Sequence, residues 1–456
     1  MRLRVTFSAA LFAASLCAAP SNAATVKALP APQGETVWYA EDHSLPMIAM
    51  SAAIPAGAAY DPRGKDGLAT FAASLLDEGA GDLNSNAFHE ALANKAIQLS
   101  VTPGRDDMIV SLVTLKENAP DAFRLLGMAL SKPHFENEAV NRVRAQMIAS
   151  IEQNDEEPGD VAAKYFWHAY FGNHPYAHDA SGTPQTLNAI NQRDLHAFAR
   201  DHWVRGGLKI AVAGDVTPQQ LTQLLDTAFG SLPMKTPPAI PWPGKVGAPG
   251  VHIVPMPVPQ PTVIFALPGL MRSDKDFLAA YVANYIVGGG GFSSRLTDEV
   301  RVKRGLTYDI STSLEAFRRA GVLVGLVATR ADAVNQTIAV TRQTLKDFAA
   351  NGPTDKELQD AKTYLTGSYP LAFQSDAGIA GQLNSFQRIG LPIDYVANRN
   401  ALMNAVTLAD VKRAAARLFD PARMTIVVAG SPVEPKAPPP PSAPVVRPKT
   451  GAPARK

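Results

Sequence analysis

Hydrophobic and polar positions follow two different periods in the first half of the chain, and these periods predict strands and helices in irregular succession. Val37 to Ile54 and Met108 to Leu115 are apolar runs of the strand type. Gly67 to Leu76 and Asn86 to Lys95 have the pattern of helices between those strands. Because no regular β-α-β alternation with a phosphate loop appears, helices packed on a mostly antiparallel sheet are the better prediction.

A long internal repeat indicates that the chain contains two related domains. Residues 187–214 align without a gap onto residues 403–430, and the matched pairs include Asp194 with Asp410. In each copy a predicted helix leads to a β-branched strand that stops at Ala-Gly. The period is far too long for a solenoid, so it indicates a duplicated domain.

We therefore predict the α+β class, with two duplicated α/β-sandwich domains whose mostly antiparallel sheets carry helices packed on one face. A segment rich in proline and glycine separates the two copies and reads as a linker. The predicted organisation is a signal peptide at 1–23, an N-terminal domain at 24–234, the linker at 235–250, a C-terminal domain at 251–433 and a disordered, proline-rich basic tail at 434–456.

The N-terminal segment has the pattern of a secretory signal. Arg2 and Arg4 precede an apolar run from Val5 to Ala19, and Ser21-Asn22-Ala23 offers a cleavage site of the small-x-small type. The expected location is therefore the periplasm or the outside of the cell. A mitochondrial presequence is the alternative, but the apolar residues are continuous rather than amphipathic.

Composition and charge exclude several classes of protein. The chain has 456 residues, of which 46% are hydrophobic, and a formal net charge of +2, so it has no basic signature of a nucleic-acid-binding protein. Its single cysteine, Cys17, lies in the leader, which excludes disulfides and a thiolate metal site after cleavage. No later uncharged apolar stretch is long enough to predict a transmembrane segment.

Three segments carry a resemblance to a known family. Residues 57–79 (GAAYDPRGKDGLATFAASLLDEG), the run from 154 to 190, and residues 288–312 (GGGGFSSRLTDEVRVKRGLTYDIST) resemble the insulinase, or pitrilysin-type, metallopeptidases, which include the mitochondrial processing peptidases. The resemblance extends from about residue 35 to 430. It implies a protein built from duplicated α+β halves, as the repeat indicates independently.

The resemblance also implies a zinc motif that this chain lacks. In the family, two histidines four residues apart on the first helix bind Zn²⁺, and a glutamate between them activates the bound water. At the matching positions stand Thr70, Ala73 and Ser74, and Ser150 stands where a later helix would supply the third ligand. Hydroxyl and methyl groups replace neither imidazole nor carboxylate, so we expect no metal and no cofactor in this chain.

A second site implied by the resemblance is present. Family members place an arginine and a tyrosine, seven residues apart, against the scissile peptide, and Arg301 and Tyr308 have that spacing. Arg301 falls in a predicted helix that ends near Lys303, and Tyr308 opens a predicted strand. The alternative is an exposed helix arginine with a core tyrosine, because Leu306, Tyr308 and Ile310 would share one face of that strand.

The resemblance therefore implies the zinc-less subunit of a heterodimeric metallopeptidase. Such a chain is inactive alone and pairs with a homologous subunit that carries H-x-x-E-H and the Zn²⁺. Together the two chains would close a chamber over a peptide or unfolded segment, with the substrate pairing along a sheet edge. The alternatives are a peptide-binding, chaperone-like protein without catalysis and a structural scaffold.

The leader generates the first testable prediction. We expect the mature protein to begin near Ala24 and to appear in the periplasm or an equivalent exported compartment. N-terminal sequencing after cell fractionation measures both, and an intact leader on a cytosolic protein would contradict export.

Overall fold

The computed structural model of the protein describes residues 26–30 and 36–433, so the predicted signal peptide and the basic tail lie outside the described residues. A six-stranded sheet in the first half has the order β1-β2-β8-β3-β7-β6, in which only β2 and β8 run parallel, and β4 pairs separately with β5. The strands of this half are β1 Val26–Pro30, β2 Thr36–Glu41, β3 Met47–Ile54, β4 Gly79–Ala80, β5 Leu83–Asn84, β6 Gln98–Pro103, β7 Met108–Leu115 and β8 Lys209–Gly214.

The second half repeats this topology with one strand fewer. Its five-stranded sheet has the order β11-β12-β10-β13-β9, and the only parallel pair is β13 with β9. The order β2-β8-β3-β7-β6 of the first sheet therefore corresponds to β9-β13-β10-β12-β11 of the second. The strands are β9 Gly250–Val254, β10 Thr262–Pro268, β11 Thr307–Ala316, β12 Gly321–Thr329 and β13 Thr425–Ala429.

Fourteen α-helices surround the sheets in the part of the chain that the structure describes. Those of the first half are α1 Leu68–Ser74, α2 Ser85–Asn94, α3 Ala119–Ser131, α4 Asn137–Asn154, α5 Pro158–Phe171, α6 Pro184–Ala189, α7 Gln192–His202 and α8 Pro218–Phe229. Those of the second half are α9 Phe277–Asn284, α10 Val334–Asn351, α11 Asp355–Gly367, α12 Asp376–Arg388, α13 Tyr395–Ala405 and α14 Leu408–Leu418.

The aligned segments of the repeat adopt the same structure for the same local reasons. Asp194 and Asp410 each complete a capping box at the start of the helix before the last strand, α7 in one half and α14 in the other. Gly214 and Gly430 end β8 and β13 with φ angles of 126° and 138°, which favour glycine. A duplicated α+β fold is thereby confirmed.

Each sheet has helices on both faces, so the prediction of helices on one face is incomplete. The second face of each sheet is covered by a helix from the other half. Phe166 and Tyr170 of α5 pack in a buried cluster with Ile264 and Val427 of the second sheet. Leu383 of α12 packs likewise in a cluster with strand residues of the first sheet. The two halves exchange helices and bury apolar surface that neither could cover alone.

The halves also meet at the tips of two equivalent hairpins, β6–β7 and β11–β12. Asp107 at the first tip is 3% exposed. Its carboxylate accepts hydrogen bonds from Arg318 of the second tip at 2.5 Å and from Arg388 at the end of α12 at 3.1 Å. Asp106 accepts from the backbone N–H of Arg318 at 2.8 Å. A buried carboxylate requires such partners, so the acidic tip is held against the basic one.

The first predicted strand and the predicted linker differ in detail from the structure. The apolar run from Val37 to Ile54 forms two strands, β2 and β3, because the segment 42–46 (DHSLP), with three polar residues and a proline, interrupts it with a turn. The predicted linker contains no helix or strand before β9, and Ile240 within it is buried, its carbonyl accepting a hydrogen bond from Arg319. The predicted domain bounds themselves stay a prediction.

None of the helices within residues 26–30 and 36–433 combines the length and the apolar character that crossing a bilayer requires.

The hairpin contact predicts a stability effect. Asp107→Asn removes the charge that neutralises two guanidinium groups, and breaking a fully buried pair costs about 3–5 kcal/mol. Because Arg318 and Arg388 remain about one-third exposed, we expect a smaller loss, about 2–3 kcal/mol, in the free energy of unfolding. Urea denaturation of the mature chain measures it.

The matched control is Asp332→Asn, which removes the exposed ion pair between Arg330 and Asp332. It should cost about 0–1 kcal/mol. Equal losses for Asp107→Asn and Asp332→Asn would show that the hairpin contact does not hold the halves together.

Candidate functional site

The predicted zinc-motif positions lie on α1, and their side chains are occupied within the fold. The carboxylate of Asp61 accepts hydrogen bonds from the N–H groups of Gly67 and Ala69, both at 2.8 Å, which fixes the start of this helix. Thr70 Oγ1 donates to the carbonyl of Ala180 at 2.5 Å, and Ser74 Oγ donates to the carbonyl of Thr70 at 2.9 Å. These hydroxyls satisfy backbone carbonyls and present no ligand pair.

Ala73 and Ser150, the other two positions of the predicted motif, offer no metal ligand either. Ala73 is 2% exposed and packs in the core of the first half. Ser150 lies exposed on α4. A methyl group in the core and a solvated hydroxyl cannot replace a general base and a carboxylate ligand. The residues at the predicted motif therefore do not fit a zinc ion.

One group of side chains near the end of α1 resembles a metal site. Ligand atoms of Asp77, Glu78 and His89 lie within 4.8 Å of one another. The Glu78 carboxylate, however, forms an ion pair with Arg142 of α4 and accepts a hydrogen bond from Ser85 at 2.6 Å. Since the guanidinium already supplies the positive charge, this ion pair links the turn after α1 to α4 without a metal.

His174, in the loop after α5, is equally unsuited to binding zinc. His174 Nε2 lies 2.9 Å from the carbonyl of Pro241, and its Nδ1 accepts from the N–H of Tyr176 at 3.1 Å. Both ring nitrogens of His174 are thus engaged by the backbone.

Arg301 lies in a helical segment that is wider than the predicted α-helix. Residues Thr297–Val302 form a π-helical turn, in which the N–H of Lys303 donates to the carbonyl of Asp298 at 2.9 Å. The Ser294 hydroxyl accepts a hydrogen bond from the N–H of Thr297 and so caps the start of this segment. A π-helical turn accommodates one extra residue and is frequent at functional sites.

Tyr308 lies at a second irregularity, a β-bulge at the start of β11. Thr307 is paired with Thr329 but Ile310 with Val327, so β11 contains one more residue than β12 over this interval. Thr307 Oγ1 stabilises the bulge by donating to the carbonyl of Ala328 at 2.6 Å. Tyr308 is 82% exposed, while Ile310 is fully buried, so the core-tyrosine alternative is wrong.

The structure brings Arg301 and Tyr308 together and adds an aromatic residue that the sequence analysis missed. The Cζ atom of Arg301 lies 4.7 Å from the ring centroid of Tyr308 and 4.6 Å from that of Phe292. We call these three residues the aromatic clamp. Phe292 is 77% exposed and follows Gly291, whose φ of 58° favours glycine. The glycine run before an apolar residue was the only sequence signal for it.

The geometry of the aromatic clamp suits the binding of a carbonyl oxygen. Two rings fix the guanidinium plane by cation–π contacts, which lowers the entropy lost when Arg301 donates hydrogen bonds. No hydrogen bond within residues 26–30 and 36–433 engages the Tyr308 hydroxyl, so that donor is available to a ligand. A fixed cation and an available phenol can stabilise developing negative charge on oxygen.

The fold defines a class, the duplicated α+β sandwich, and comparisons with known proteins give the family. The family model described as insulinase (peptidase family M16) matches residues 36–183, and the model described as peptidase M16 inactive domain matches residues 189–365. The chain belongs to peptidase family M16, the insulinase family.

Individual relatives agree with this assignment. The chain is 28% identical over 376 residues to the non-peptidase homolog YmxG of Helicobacter pylori, which covers 82% of this chain and 86% of that protein. It is 29% identical over 276 residues to an uncharacterized zinc protease of Streptomyces coelicolor, covering 59% and 60% of the two chains. A crystal structure of a peptidase M16 inactive domain from Pseudomonas fluorescens matches with a TM-score of 0.86 at 29% identity, covering 90% of this chain and 99% of that one. These findings support an inactive homologue within the family.

The occupied motif positions predict the metal content. The purified mature chain should contain no stoichiometric zinc, because Thr70, Ala73 and Ser74 offer neither two ligands nor a base. Elemental analysis after dialysis measures this. One zinc per chain that resists mild chelation would contradict the prediction, and its loss on His89→Ala would assign it to the Asp77–Glu78–His89 group.

Proposed function

We propose that this chain is the non-zinc-binding subunit of a heterodimeric insulinase-family metallopeptidase. It binds the peptide substrate and contributes Arg301 and Tyr308 to the stabilisation of the carbonyl oxygen during hydrolysis. The observation that carries the proposal is the outward-facing aromatic clamp in a chain whose own motif helix does not fit zinc.

In this proposal the aromatic clamp and the zinc of the partner subunit have complementary roles in hydrolysis. In the partner subunit, Zn²⁺ on an H-x-x-E-H helix would supply an activated water molecule. As that water attacks a peptide carbonyl, the oxygen gains negative charge. The Tyr308 hydroxyl and the Arg301 guanidinium are donors suited to such an oxygen, and they are already oriented by a bulge, a π-helical turn and two aromatic rings.

The helix exchange favours a site shared between two chains. Because α5 and α12 each bury apolar residues against the opposite half, separating the halves would expose both clusters to water. The two halves of one chain therefore act as one body. A chamber that opens and closes over a peptide is then formed between this chain and its partner.

Open sheet edges provide a mode of substrate binding. Among the described strands, β6 ends the first sheet beside α1, and β11 ends the second sheet beside the clamp. An extended peptide can add to such an edge through main-chain hydrogen bonds and needs no particular sequence to do so. This mode suits unfolded segments as substrates. The leader supports an exported location for the complex.

A second candidate is a peptide-binding, chaperone-like or scaffold protein without catalysis. The name of the Helicobacter pylori relative, a non-peptidase homolog, favours it. Identification of the proteins that purify with the native chain separates the candidates. An H-x-x-E-H homologue in that complex supports the peptidase subunit, and its consistent absence supports the second candidate.

Catalytic rescue tests the proposal directly. Mixed with its H-x-x-E-H homologue, the chain should permit peptide hydrolysis that neither chain performs alone. Tyr308→Phe removes one donor and keeps the ring beside Arg301, so kcat should fall by roughly 10²–10³. Arg301→Ala should also raise KM, because a guanidinium holds the substrate backbone before the reaction.

The matched control is Tyr165→Phe, which removes another exposed phenolic hydroxyl, on α5. It should leave turnover unchanged. Size-exclusion chromatography must show that every variant complex assembles. If assembled Tyr308→Phe and Arg301→Ala complexes cleave peptides as fast as Tyr165→Phe, the shared active site is disproved.

A further inference from the structure

A cavity of about 580 Å³ lies between α9, the end of β11, α12 and α13, and no role has yet been given to it. We call it the arginine cleft. Its size is that of a pocket for a small ligand or for one or two residues of a peptide. Apolar side chains form much of its wall, namely Phe277, Leu278, Leu314, Phe386, Leu391 and Met403.

Most of the charged groups that line the cleft are already engaged. Arg388 is paired with Asp107, and Arg105 donates to two backbone carbonyls and stacks on Trp167 at 3.7 Å. Arg399 donates to the carbonyl of Leu365.

The two carboxylates of the lining are engaged as well. Asp106 accepts from the Tyr176 hydroxyl at 2.6 Å and from the N–H of Arg318 at 2.8 Å. Glu315 accepts a hydrogen bond from Ser313.

Arg272 differs from the other cations of the arginine cleft. Its Cζ atom lies 4.6 Å from the ring centroid of Phe277 and 5.2 Å from that of Tyr395, so both rings hold the guanidinium in place. Within residues 26–30 and 36–433, no acidic side chain forms an ion pair with it. Burial lowers the pKa of Arg272, with Tyr395 opposing that shift. A partly buried guanidinium without a counter-ion is suited to a planar carboxylate, which it can bind through two parallel hydrogen bonds.

We propose that the arginine cleft binds the C-terminal carboxylate of a peptide, with Arg272 as the carboxylate-binding residue and the apolar wall as the pocket for the last side chain. That the ligand is a peptide rests on the proposed function. The presence of a fixed, unpaired cation rests on the geometry of the cleft alone.

The position of β11 connects the cleft with the aromatic clamp. Leu314, Glu315, Ala316 and Phe317 line the cleft consecutively. Because successive side chains of a strand point to opposite faces, a consecutive lining indicates that the backbone edge of β11 borders the cavity. From Leu314 back to Tyr308 the strand covers about 20 Å at roughly 3.3 Å per residue. A peptide anchored in the cleft and extended along β11 would bring a carbonyl about six residues upstream to Tyr308.

Binding to the unpartnered chain tests the inference without any catalysis. The probe is a fluorescently labelled hexapeptide that ends in phenylalanine, prepared as the free acid and as the C-terminal amide. Fluorescence anisotropy with the mature chain should show that the acid binds about 10- to 100-fold more tightly than the amide. Equal affinities of the acid and the amide for the unaltered chain would overturn the inference.

Substitutions then assign the preference to one residue. Arg272→Gln should abolish the difference between acid and amide, and Arg272→Lys should retain part of it, because lysine keeps the charge but not the planar fork. Arg193→Gln, which removes an exposed arginine on α7, should leave the difference unchanged. If Arg272→Gln is destabilised in circular dichroism, the Arg272→Lys variant and the unaltered chain still decide the question.

Inorganic phosphate separates a peptide site from a general anion site. Millimolar phosphate should displace the labelled acid poorly, since it cannot use the apolar wall. Displacement by phosphate as effective as that by unlabelled peptide acid would overturn the peptide assignment. Failure of these binding tests leaves the Tyr308 proposal intact, and failure of catalytic rescue leaves the acid preference measurable, so the two outcomes are distinguishable.

Discussion

The buried carboxylate of Asp107 is the contact on which the relation between the two halves depends. It lies at one hairpin tip and is neutralised by Arg318 of the equivalent tip and by Arg388 at the end of α12. A carboxylate this deeply buried is costly unless both partners are in place. The same contact therefore sets the approach of the two hairpins and the end of the helix that covers the first sheet. Neither half can shift without exposing that charge or an exchanged helix.

Because the Asp107 contact and the exchanged helices hold the two halves together, we expect ligands to bind on the outer surface that the halves form. Because separating the halves would expose both exchanged helices, we propose that ligands bind at sheet edges, clefts and exposed clusters and not in a chamber within this chain. The proposed surfaces include the edges of β6 and β11, the arginine cleft and the aromatic clamp. The aromatic clamp and β11 lie in the second half, and the arginine cleft is lined mainly by the second half together with residues 104–106 of the first. The helix with the lost motif lies in the first half.

The sequence predicted those features that local interactions determine. The repeat of residues 187–214 and 403–430 could be recognised in the sequence. Its shared features, the capping boxes at Asp194 and Asp410 and the glycines with positive φ, depend only on neighbouring residues in the chain. The exchange of α5 and α12 was not predictable, since an amphipathic helix does not reveal which sheet it covers. The bulge at Tyr308 escaped prediction for a related reason. Strand alternation placed this residue with Ile310, and only the pairing with β12 shows the extra residue.

The backbone around the aromatic clamp is irregular at two places, and both irregularities have a cost in stability. A π-helical turn and a β-bulge each give up regular backbone hydrogen bonding. Here both lie between Thr297 and Ile310, and together they expose Tyr308 and a guanidinium held between two rings. Exposing Phe292 and Tyr308 forgoes the burial that stabilises other aromatic residues of the chain. Nothing in the fold of the described residues gains from that exposure. The arrangement is suited to a ligand or a partner outside the chain, which supports the role proposed for the clamp.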